Sequence, residues 1–386
     1  MNPGIYLDYC ATTPVHPRVR EAMLAALGDD FGNPSSMHWA GRRAATLVQQ
    51  ARAGVASSIG CKPEELYFTS GATEADNLAL FGALRRRQPG RGHLITTAVE
   101  HHAILHAAVQ LEKEGYAATV LPVNREGLID PRAIEAAIRP ETVLISVMLV
   151  NNETGAIQPV AEIGALAKQH GILMHTDAVQ AMGLLDVNVE TLQVDLLSLS
   201  AHKIYGPKGI GALYVRGAAG LQPLAFGGPQ EGSLRPGTEN VPGIMGLAAA
   251  VQLTHEHKAE EYERLRGLRA YMVAELKARI PSAVINGPSE RVAPHVVSVS
   301  FPGTDGEMML IRLNAAGIAV SLGSACNSKS IEPSHVLTAT GLPREQIEGS
   351  LRVSLGYPTT RDDVDQFLDV MPEIVQRVLA VRETIE

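Results

Sequence analysis

Short apolar segments alternate with longer amphipathic segments between residues 65 and 216. The short segments are rich in β-branched and aliphatic residues, which is typical of strands buried on both faces. They cover residues 65–70, 93–99, 117–123, 142–150, 172–178, 194–200 and 211–216. Segments such as 74–87 and 160–171 have the periodicity of amphipathic helices. This alternation predicts an α/β domain with a mostly parallel sheet covered by helices.

The pattern changes after about residue 242. A long helical segment with a charged middle, 255–280, leads into a region with fewer apolar segments. Residues 295–301, 311–322 and 349–356 have the composition of strands and predict a smaller sheet. We therefore expect a large domain over 15–256 and a small α+β domain made of 1–14 and 257–386.

Composition and charge narrow the class of protein. Hydrophobic residues make up 45% of the 386 residues, as in a globular chain, and the net charge of -8 argues against direct nucleic-acid or anionic membrane binding. The longest apolar run, residues 143–150, is too short to span a bilayer, and the N-terminus lacks a basic region ahead of an apolar run. Three cysteines, Cys10, Cys61 and Cys326, fit a reducing compartment. We expect a cytoplasmic protein.

Polar residues follow the predicted strands at the edge where ligands bind in open α/β sheets. The turn 70–73 can cradle an anion at a helix start, although an ordinary capped helix would look the same. Asp177 and Gln180 follow one strand, and for Asp177 taken alone a structural salt bridge or helix cap is the favoured interpretation. Lys203 follows another strand with Ser200 and His202, and most lysines in such turns are simply exposed.

Together these features match one cofactor. Pyridoxal phosphate needs a lysine for a Schiff base, an acid for its ring nitrogen and a cup for its phosphate. Asp177 precedes Lys203 by 26 residues, one strand–connection–strand step in such a sheet. The sequence therefore predicts a pyridoxal 5'-phosphate site and no metal site.

The chain resembles the cysteine desulfurases of the NifS/IscS-like group among the fold-type I pyridoxal-phosphate enzymes. The resemblance covers nearly the whole chain and is carried, in order, by "YLDYCATTPVHPRV", "FGNPSSMH", "FTSGATEADNLAL", "VEHHAIL", "VNNETGAIQPV", "HTDAVQAMG", "SAHKIYGPKGIGALYV", "RPGTEN", "GSACNSKSIEPSHVL" and "LRVSLG". It implies a large domain with a seven-stranded, mostly parallel sheet and a smaller α+β domain.

The resemblance also implies roles for individual residues. Lys203 matches the Schiff-base lysine, His101 the histidine that stacks on the ring and carries protons, and Cys326 the nucleophile. Asp177 matches the partner of the ring nitrogen and Gln180 the donor to the ring phenolate. The remaining cofactor contacts implied are Ala72, Thr73, Asn152, Ser200, His202 and Thr238, and the implied substrate-carboxylate ligands are Asn152 and Arg352. Thr238 matches a residue that reaches the partner's phosphate, which implies a homodimer.

Small and polar residues surround Cys326 and favour a loop over about 321–334. Such a tether suits a thiol that takes sulfur from L-cysteine as a persulfide, releases L-alanine and passes the sulfur on. The acceptor, an iron–sulfur scaffold or a thiolation enzyme, is left open. Selenocysteine lyase activity, another fold-type I activity and a non-catalytic scaffold are alternatives. Cys10 lies near the expected site in place of a small residue, and Cys61 is interpreted as structural.

Overall fold

The computed structural model describes residues 4–86, 90–217, 219–322 and 333–383. Its strands are β1 (Ile5–Tyr6), β2 (Leu66–Thr69), β3 (His93–Thr97), β4 (Ala117–Leu121), β5 (Thr142–Ser146), β6 (Leu173–Asp177), β7 (Leu196–Ser200), β8 (Gly211–Val215), β9 (Val284–Asn286), β10 (Val296–Ser300), β11 (Ile318–Ala319) and β12 (Ser350–Ser354). Its helices are α1 (Pro17–Leu27), α2 (Trp39–Ser58), α3 (Ala72–Leu84), α4 (His102–Lys113), α5 (Pro131–Ala137), α6 (Val160–Gln169), α7 (Val189–Leu192), α8 (Val241–Arg279), α9 (Gly306–Ala315), α10 (His335–Ala339), α11 (Arg344–Glu348) and α12 (Arg361–Glu383).

The seven segments that the hydrophobic pattern predicts as strands form one sheet. Its strand order is β2-β8-β7-β6-β5-β3-β4. The pairs β3–β4, β3–β5, β5–β6 and β6–β7 are parallel, whereas β8 runs antiparallel to both of its neighbours. The prediction of a mostly parallel, seven-stranded sheet is confirmed.

Helices cover both faces of this sheet, which explains why its strands are apolar at nearly every position. Leu196 packs in a core formed with α3 and α4, whereas the next residue, Leu197, packs in a core on the opposite face with α2, α6 and α8. Consecutive strand residues point to opposite faces, so both must be apolar when both faces are buried. Polar side chains of the sheet lie at strand ends and in a buried group formed by Ser146, His175 and Ser198.

The packing on the two faces of the large sheet together forms a first core. A second core lies around a three-stranded antiparallel sheet of order β12-β10-β9. The long helix α8 joins the two cores, because Val251 belongs to the first and Leu265 to the second. The N-terminal segment also joins the second core through Leu7, and β1 pairs in parallel with β11. These packing relations support the division near residue 256, with residues 1–14 assigned to the small domain, which we propose as the domain boundary.

The interpretation of residues 311–322 as a strand is wrong for its first half. Residues up to Ala315 belong to α9, whose first turn is capped by the Asp305 side chain accepting from the Met308 N–H (2.9 Å). Ile311 is 68% exposed on that helix, so its apolar side chain does not mark a buried strand position. Gly317, with φ of +78°, ends the helix and leads into the short strand β11. Within the described residues, no helix combines the length and apolar character needed to cross a membrane.

Replacement of Gly211 by Ala is expected to destabilise the protein by about 1–3 kcal/mol, the usual cost of overpacking a filled core. Gly211 pairs with Thr69 on one side and Ser200 on the other. A Cβ atom there would lie 2.5 Å from the Leu199 carbonyl oxygen and 2.7 Å from Gly71 Cα, both of which are backbone atoms. The measurement is the free energy of unfolding in urea.

Gly54→Ala is the matched control, because a Cβ atom at this exposed helical position would meet nothing within 4 Å. The control should stabilise the protein slightly, by about 0.5–1 kcal/mol, through the better helix propensity of alanine. Equal stability changes in the two variants would show that the approach of β8 to the turn after β2 is not tight.

Candidate active site

The carboxyl ends of β6 and β7 open into a cavity of about 670 Å³. This volume lies in the range typical of pockets for cofactors and small substrates. Ten of the eleven described residues that the sequence analysis places in the site line it, namely Ala72, Thr73, His101, Asn152, Asp177, Gln180, Ser200, His202, Lys203 and Arg352. Thr238 is exposed and does not line this cavity, and Cys326 lies outside the described residues.

The turn between β2 and α3 has the form of an anion cradle. Gly71, the residue before α3, has φ of +154° and ψ of 179°, a conformation that is essentially restricted to glycine. A Cβ atom at Gly71 would meet nothing within 4 Å. The first N–H groups of the 13-residue helix α3 have no partner within the helix and favour a negative group. Glu74, the acidic side chain of the first turn, is paired with Arg235 at 2.9 Å.

His202 follows β7 and lines the same cavity as Thr73. Its Nδ1 lies 3.1 Å from the Thr12 hydroxyl oxygen. Burial, followed by the charges of Lys203 and Lys208, lowers the pKa of His202 to about 4. A neutral imidazole can donate one hydrogen bond to a phosphate without carrying a charge of its own.

Lys203 lies in a single turn of 3₁₀ helix directly after β7. Its ammonium group donates to the carbonyl oxygens of Cys10 (2.5 Å) and Ala11 (2.8 Å). The N-terminal segment therefore lies against this lysine at the cavity wall. The thiol of Cys10 is buried, and burial raises its pKa.

Asp177 is the last residue of β6 and is 8% exposed. Its carboxylate accepts one hydrogen bond from the Val179 N–H (2.9 Å). Burial raises its pKa to about 6, while that hydrogen bond and the charge of Lys203 act in the opposite direction. A buried carboxylate of this kind is stabilised by a nearby cation, such as a protonated ring nitrogen. The cradle, the lysine and this acid therefore fit pyridoxal phosphate.

Gln180 directly follows Val179, and its amide is bonded to the same N-terminal segment. Its Nε2 donates to the Cys10 carbonyl oxygen (3.0 Å), and its Oε1 lies 3.4 Å from His295 Nε2. His295 is buried, and burial lowers its pKa to about 4. Gln180 is thus held at the cavity wall by two groups from the proposed small domain.

His101 begins α4 as its capping residue, with Nδ1 accepting from the Ala103 N–H (3.2 Å). Burial lowers the pKa of His101 to about 4, and the charge of Lys203 acts in the same direction. The ring is therefore neutral near pH 7 and can accept a proton from a substrate atom.

Arg352 lies on β12 and is 2% exposed. Its guanidinium donates to Asp8 Oδ1 (2.9 Å) and to the Asn152 carbonyl oxygen (3.1 Å), while its Nε has no hydrogen-bond partner. Arg352 and Asn152, which come from different domains, are thus brought together. The unused Nε–H fits a substrate carboxylate.

Sequence reasoning missed three buried acids around the site. Asp76 lines the cavity, Glu100 accepts from the Met148 N–H (3.1 and 3.0 Å), and Glu153 accepts from the Ser334 hydroxyl (2.5 Å). Asp76 and Glu153 each carried a possible signal, since the first interrupts the buried face of an apolar helix and the second follows Asn152 directly. Among the residues that the structure describes, no group of His, Cys, Asp and Glu side chains could hold a metal ion.

Comparisons with known proteins place this geometry in a family. Residues 5–367 match the family model for aminotransferase class-V. The cysteine desulfurase IscS of Dictyoglomus turgidum is 46% identical over 99% of this chain and 97% of its own. A solved NifS-like protein superposes with a TM-score of 0.91 at 37% identity, covering 97% of this chain and 99% of its own. A structure of SspA in complex with cysteine gives a TM-score of 0.82 at 40% identity, covering 91% of this chain and 98% of its own.

These similarities extend over nearly the whole chain, and they include the strand ends and turns that form the cavity. Class-V aminotransferases and cysteine desulfurases depend on pyridoxal phosphate, the cofactor that the cradle, Lys203 and Asp177 fit. The chain belongs to the aminotransferase class-V family, within its NifS/IscS-like group of cysteine desulfurases.

Proposed function

We propose that this protein is a pyridoxal-phosphate-dependent cysteine desulfurase that removes sulfur from L-cysteine, releases L-alanine and carries the sulfur as a persulfide on Cys326. The observation that carries the proposal is the convergence of Lys203, Asp177, His101 and Arg352 on one cavity. The chain's similarity to cysteine desulfurases over nearly its full length supports the same conclusion.

Residues that line the cavity would hold the cofactor. The N-terminus of α3 with Thr73, Ser200 and His202 would bind its phosphate, Asp177 its ring nitrogen and Lys203 its aldehyde carbon. When bound, pyridoxal phosphate supplies an electron sink for the bond that breaks at the substrate α-carbon.

The polar side chains of the cavity then have distinct tasks. Arg352 binds the substrate carboxylate through the donor that it does not use in this structure, with Asn152 beside it. Lys203 takes the α-proton once its nitrogen is free, and the neutral ring of His101 accepts or returns a proton nearby. Asp177 keeps its negative charge toward the ring nitrogen, which favours the protonated form of that nitrogen.

The described residues on either side of the Cys326 segment are both attached to the site. Ser321 exchanges two backbone hydrogen bonds with Arg352 (2.7 and 3.1 Å), and the Ser334 hydroxyl donates to Glu153 (2.5 Å). Cys326 follows Ser321 by five residues. A chain of that length spans at most about 18 Å, which supports the proposal that the thiol reaches the cavity. We propose that it attacks the substrate sulfur there.

We also propose that the protein acts as a homodimer in which Thr238 reaches the partner's phosphate site. Thr238 is exposed and does not line the cavity of its own chain. Phe226, near the segment that leads to Thr238, is 89% exposed. Since Thr238 is proposed to reach the partner, we propose that this exposed apolar side chain belongs to the same interface.

The partner that receives the sulfur is proposed to be an iron–sulfur scaffold or a thiolation enzyme, and the compartment to be the cytoplasm. The two described cysteines, Cys10 and Cys61, are free thiols, as expected in a reducing compartment.

Lys203→Ala should remove the visible absorbance of bound pyridoxal phosphate, because Lys203 is the amine that the proposed function assigns to the covalent bond, and Lys208, which also lines the cavity, is not expected to replace it. The measurement is an absorbance spectrum after incubation with the cofactor, followed by borohydride reduction and peptide mass analysis. Lys113→Ala, an exposed change at the end of α4, is the control and should keep the wild-type spectrum. A cofactor adduct trapped on another lysine of the Lys203→Ala protein would contradict the assignment.

Cys326→Ser should keep the cofactor absorbance but lose sulfide release from L-cysteine by at least about a hundredfold, because a hydroxyl cannot accept sulfur. Mass spectrometry of the wild-type protein after incubation with L-cysteine should show one added sulfur on the Cys326 peptide. Cys61→Ser is the control, since burial raises the pKa of the Cys61 thiol to about 12 and leaves it unreactive. Wild-type alanine formation by the Cys326→Ser protein would exclude the persulfide route.

Phe226→Asp should convert the dimer into monomers and weaken cofactor binding by about tenfold or more, because the partner's phosphate contact is lost with the interface. Light scattering after size-exclusion chromatography gives the mass, and titration with pyridoxal phosphate gives the affinity. The control is Ile311→Asp, which places the same charge on an equally apolar, 68% exposed residue of α9. Unchanged mass and affinity in the Phe226→Asp protein would refute the interface.

A further inference from the structure

A carboxyl group that the proposed mechanism does not use lies at the base of the cavity. Asp76, on the buried face of α3, is 1% exposed and lines the cavity. Ser198 lies near it, yet neither carboxyl oxygen makes a well-formed hydrogen bond. An ionised carboxylate in such surroundings costs several kcal/mol unless a cation or several donors compensate for the lost water.

The basic side chain that faces Asp76 does not supply this compensation. His175 Nε2 lies 3.6 Å from Asp76 Oδ1. Both ring nitrogens of His175 are already engaged, Nδ1 with the Ser146 hydroxyl (2.8 Å) and Nε2 with the Ser198 hydroxyl (3.0 Å). Burial lowers the pKa of His175 to about 3, so this ring is neutral. Asp76 and His175 are therefore not an ion pair.

The other charged groups that face Asp76 are acidic. Asp177 comes from the end of β6, and Glu100 comes from the turn before α4. Burial and then these two carboxyl groups raise the pKa of Asp76 well above its ordinary value, and burial raises that of Glu100 to about 8. On the helix that carries Asp76, Glu74 is occupied by Arg235.

Asp177 is in a different position, although it is equally enclosed. The Val179 N–H and the charge of Lys203 both favour its ionised form. When two carboxyl groups lie close together, the repulsion between their charges keeps one of them protonated while the other is ionised. The donors around Asp177 therefore decide which member holds the charge.

We propose that Asp76 is a positioning residue that stays protonated beneath the cavity, supports the Ser198–His175 pair and leaves the negative charge opposite the ring nitrogen to Asp177. Ser198 and Asp177 are direct neighbours across β6 and β7, and His175 precedes Asp177 by two residues on the same face of the sheet. A neutral Asp76 thus supports His175 and Ser198, the neighbours of Asp177, and leaves the protonated ring nitrogen of the cofactor to pair with Asp177. The inference rests on the proposed function, since it assigns Asp177 to the ring nitrogen.

Asp76→Asn tests this proposal in the holoenzyme, because asparagine keeps the shape and a donor but cannot ionise. We expect its affinity for pyridoxal phosphate and the pH dependence of the cofactor absorbance to stay within about twofold of the wild type. Asp76→Ala, which removes the polar group, should weaken cofactor binding by about tenfold. Asp177→Asn should weaken it further and shift the absorbance titration, because the ring nitrogen loses its charged partner.

The stability of the holoenzyme against pH gives a second readout with a definite sign. A carboxyl group whose folded-state pKa is raised contributes stability that is complete below its unfolded pKa and is lost as pH rises toward the folded pKa. The midpoint of thermal unfolding should therefore fall less for Asp76→Asn than for the wild type as pH rises above the unfolded-state pKa of aspartate, about 4. Glu112→Gln, an exposed change on α4, should follow the wild-type slope.

Two outcomes would overturn the proposal. A loss of cofactor affinity in Asp76→Asn as large as that in Asp177→Asn would show that Asp76 carries a charge which the cofactor needs. Wild-type behaviour of Asp76→Ala in both measurements would show that the residue positions nothing. Absence of sulfide release by a wild-type protein that binds the cofactor normally would count against the proposed function alone.

Discussion

The organisation of the site depends on the buried charge of Asp177, for which the proposed cofactor would supply a cation. The carboxylate ends a buried parallel strand, where its removal from water is costly. One backbone N–H and the charge of Lys203 offset part of that cost in the absence of a ligand, yet the pKa still rises to about 6. A protonated ring nitrogen would supply the missing charge, so cofactor binding and the ionisation of Asp177 are linked.

The N-terminal segment connects this cavity with the small domain. Leu7 packs in the second core, the carbonyls of Cys10 and Ala11 accept from Lys203, and Asp8 pairs with Arg352. In the proposed function, Lys203 would leave these carbonyls to react, and Arg352 would share its guanidinium between Asp8 and a substrate carboxylate. Both changes would act on residues 8–11, which connect the cavity to the core that contains Leu7.

The residues at strand ends could be predicted from the sequence because parallel strands deliver their carboxyl ends to a common edge. Asp177 and Lys203 each follow an apolar run directly, and the sheet that carries them agrees with the hydrophobic pattern. The roles of His101 and Arg352 came from resemblance to a family, since neither position has a local pattern that marks it. Their contacts join segments far apart in the chain, as in the Arg352–Asp8 pair. Such contacts cannot be predicted from the pattern of neighbouring residues.

Three other features were beyond local reasoning for different physical reasons. β9 has three residues, too few to show the alternation of apolar and polar positions that marks a strand. Residues 311–315 are helical, although their composition is typical of a strand. Asp76 was passed over because a single acid in an apolar helix is usually interpreted as a solvent-facing position. Only the three-dimensional packing shows that this face is buried and that the groups around it are acidic.

Arg352 also connects substrate recognition with the proposed nucleophile. Its side chain lines the cavity, and its backbone exchanges two hydrogen bonds with Ser321, which precedes Cys326 by five residues. On the other side of that segment, Ser334 is bonded to Glu153, the neighbour of Asn152. The described residues before and after Cys326 in the chain are thus bonded to Arg352 and to the neighbour of Asn152, the groups proposed to hold the substrate carboxylate. If the proposed function holds, a substitution that displaces Arg352 would therefore affect both substrate binding and persulfide formation.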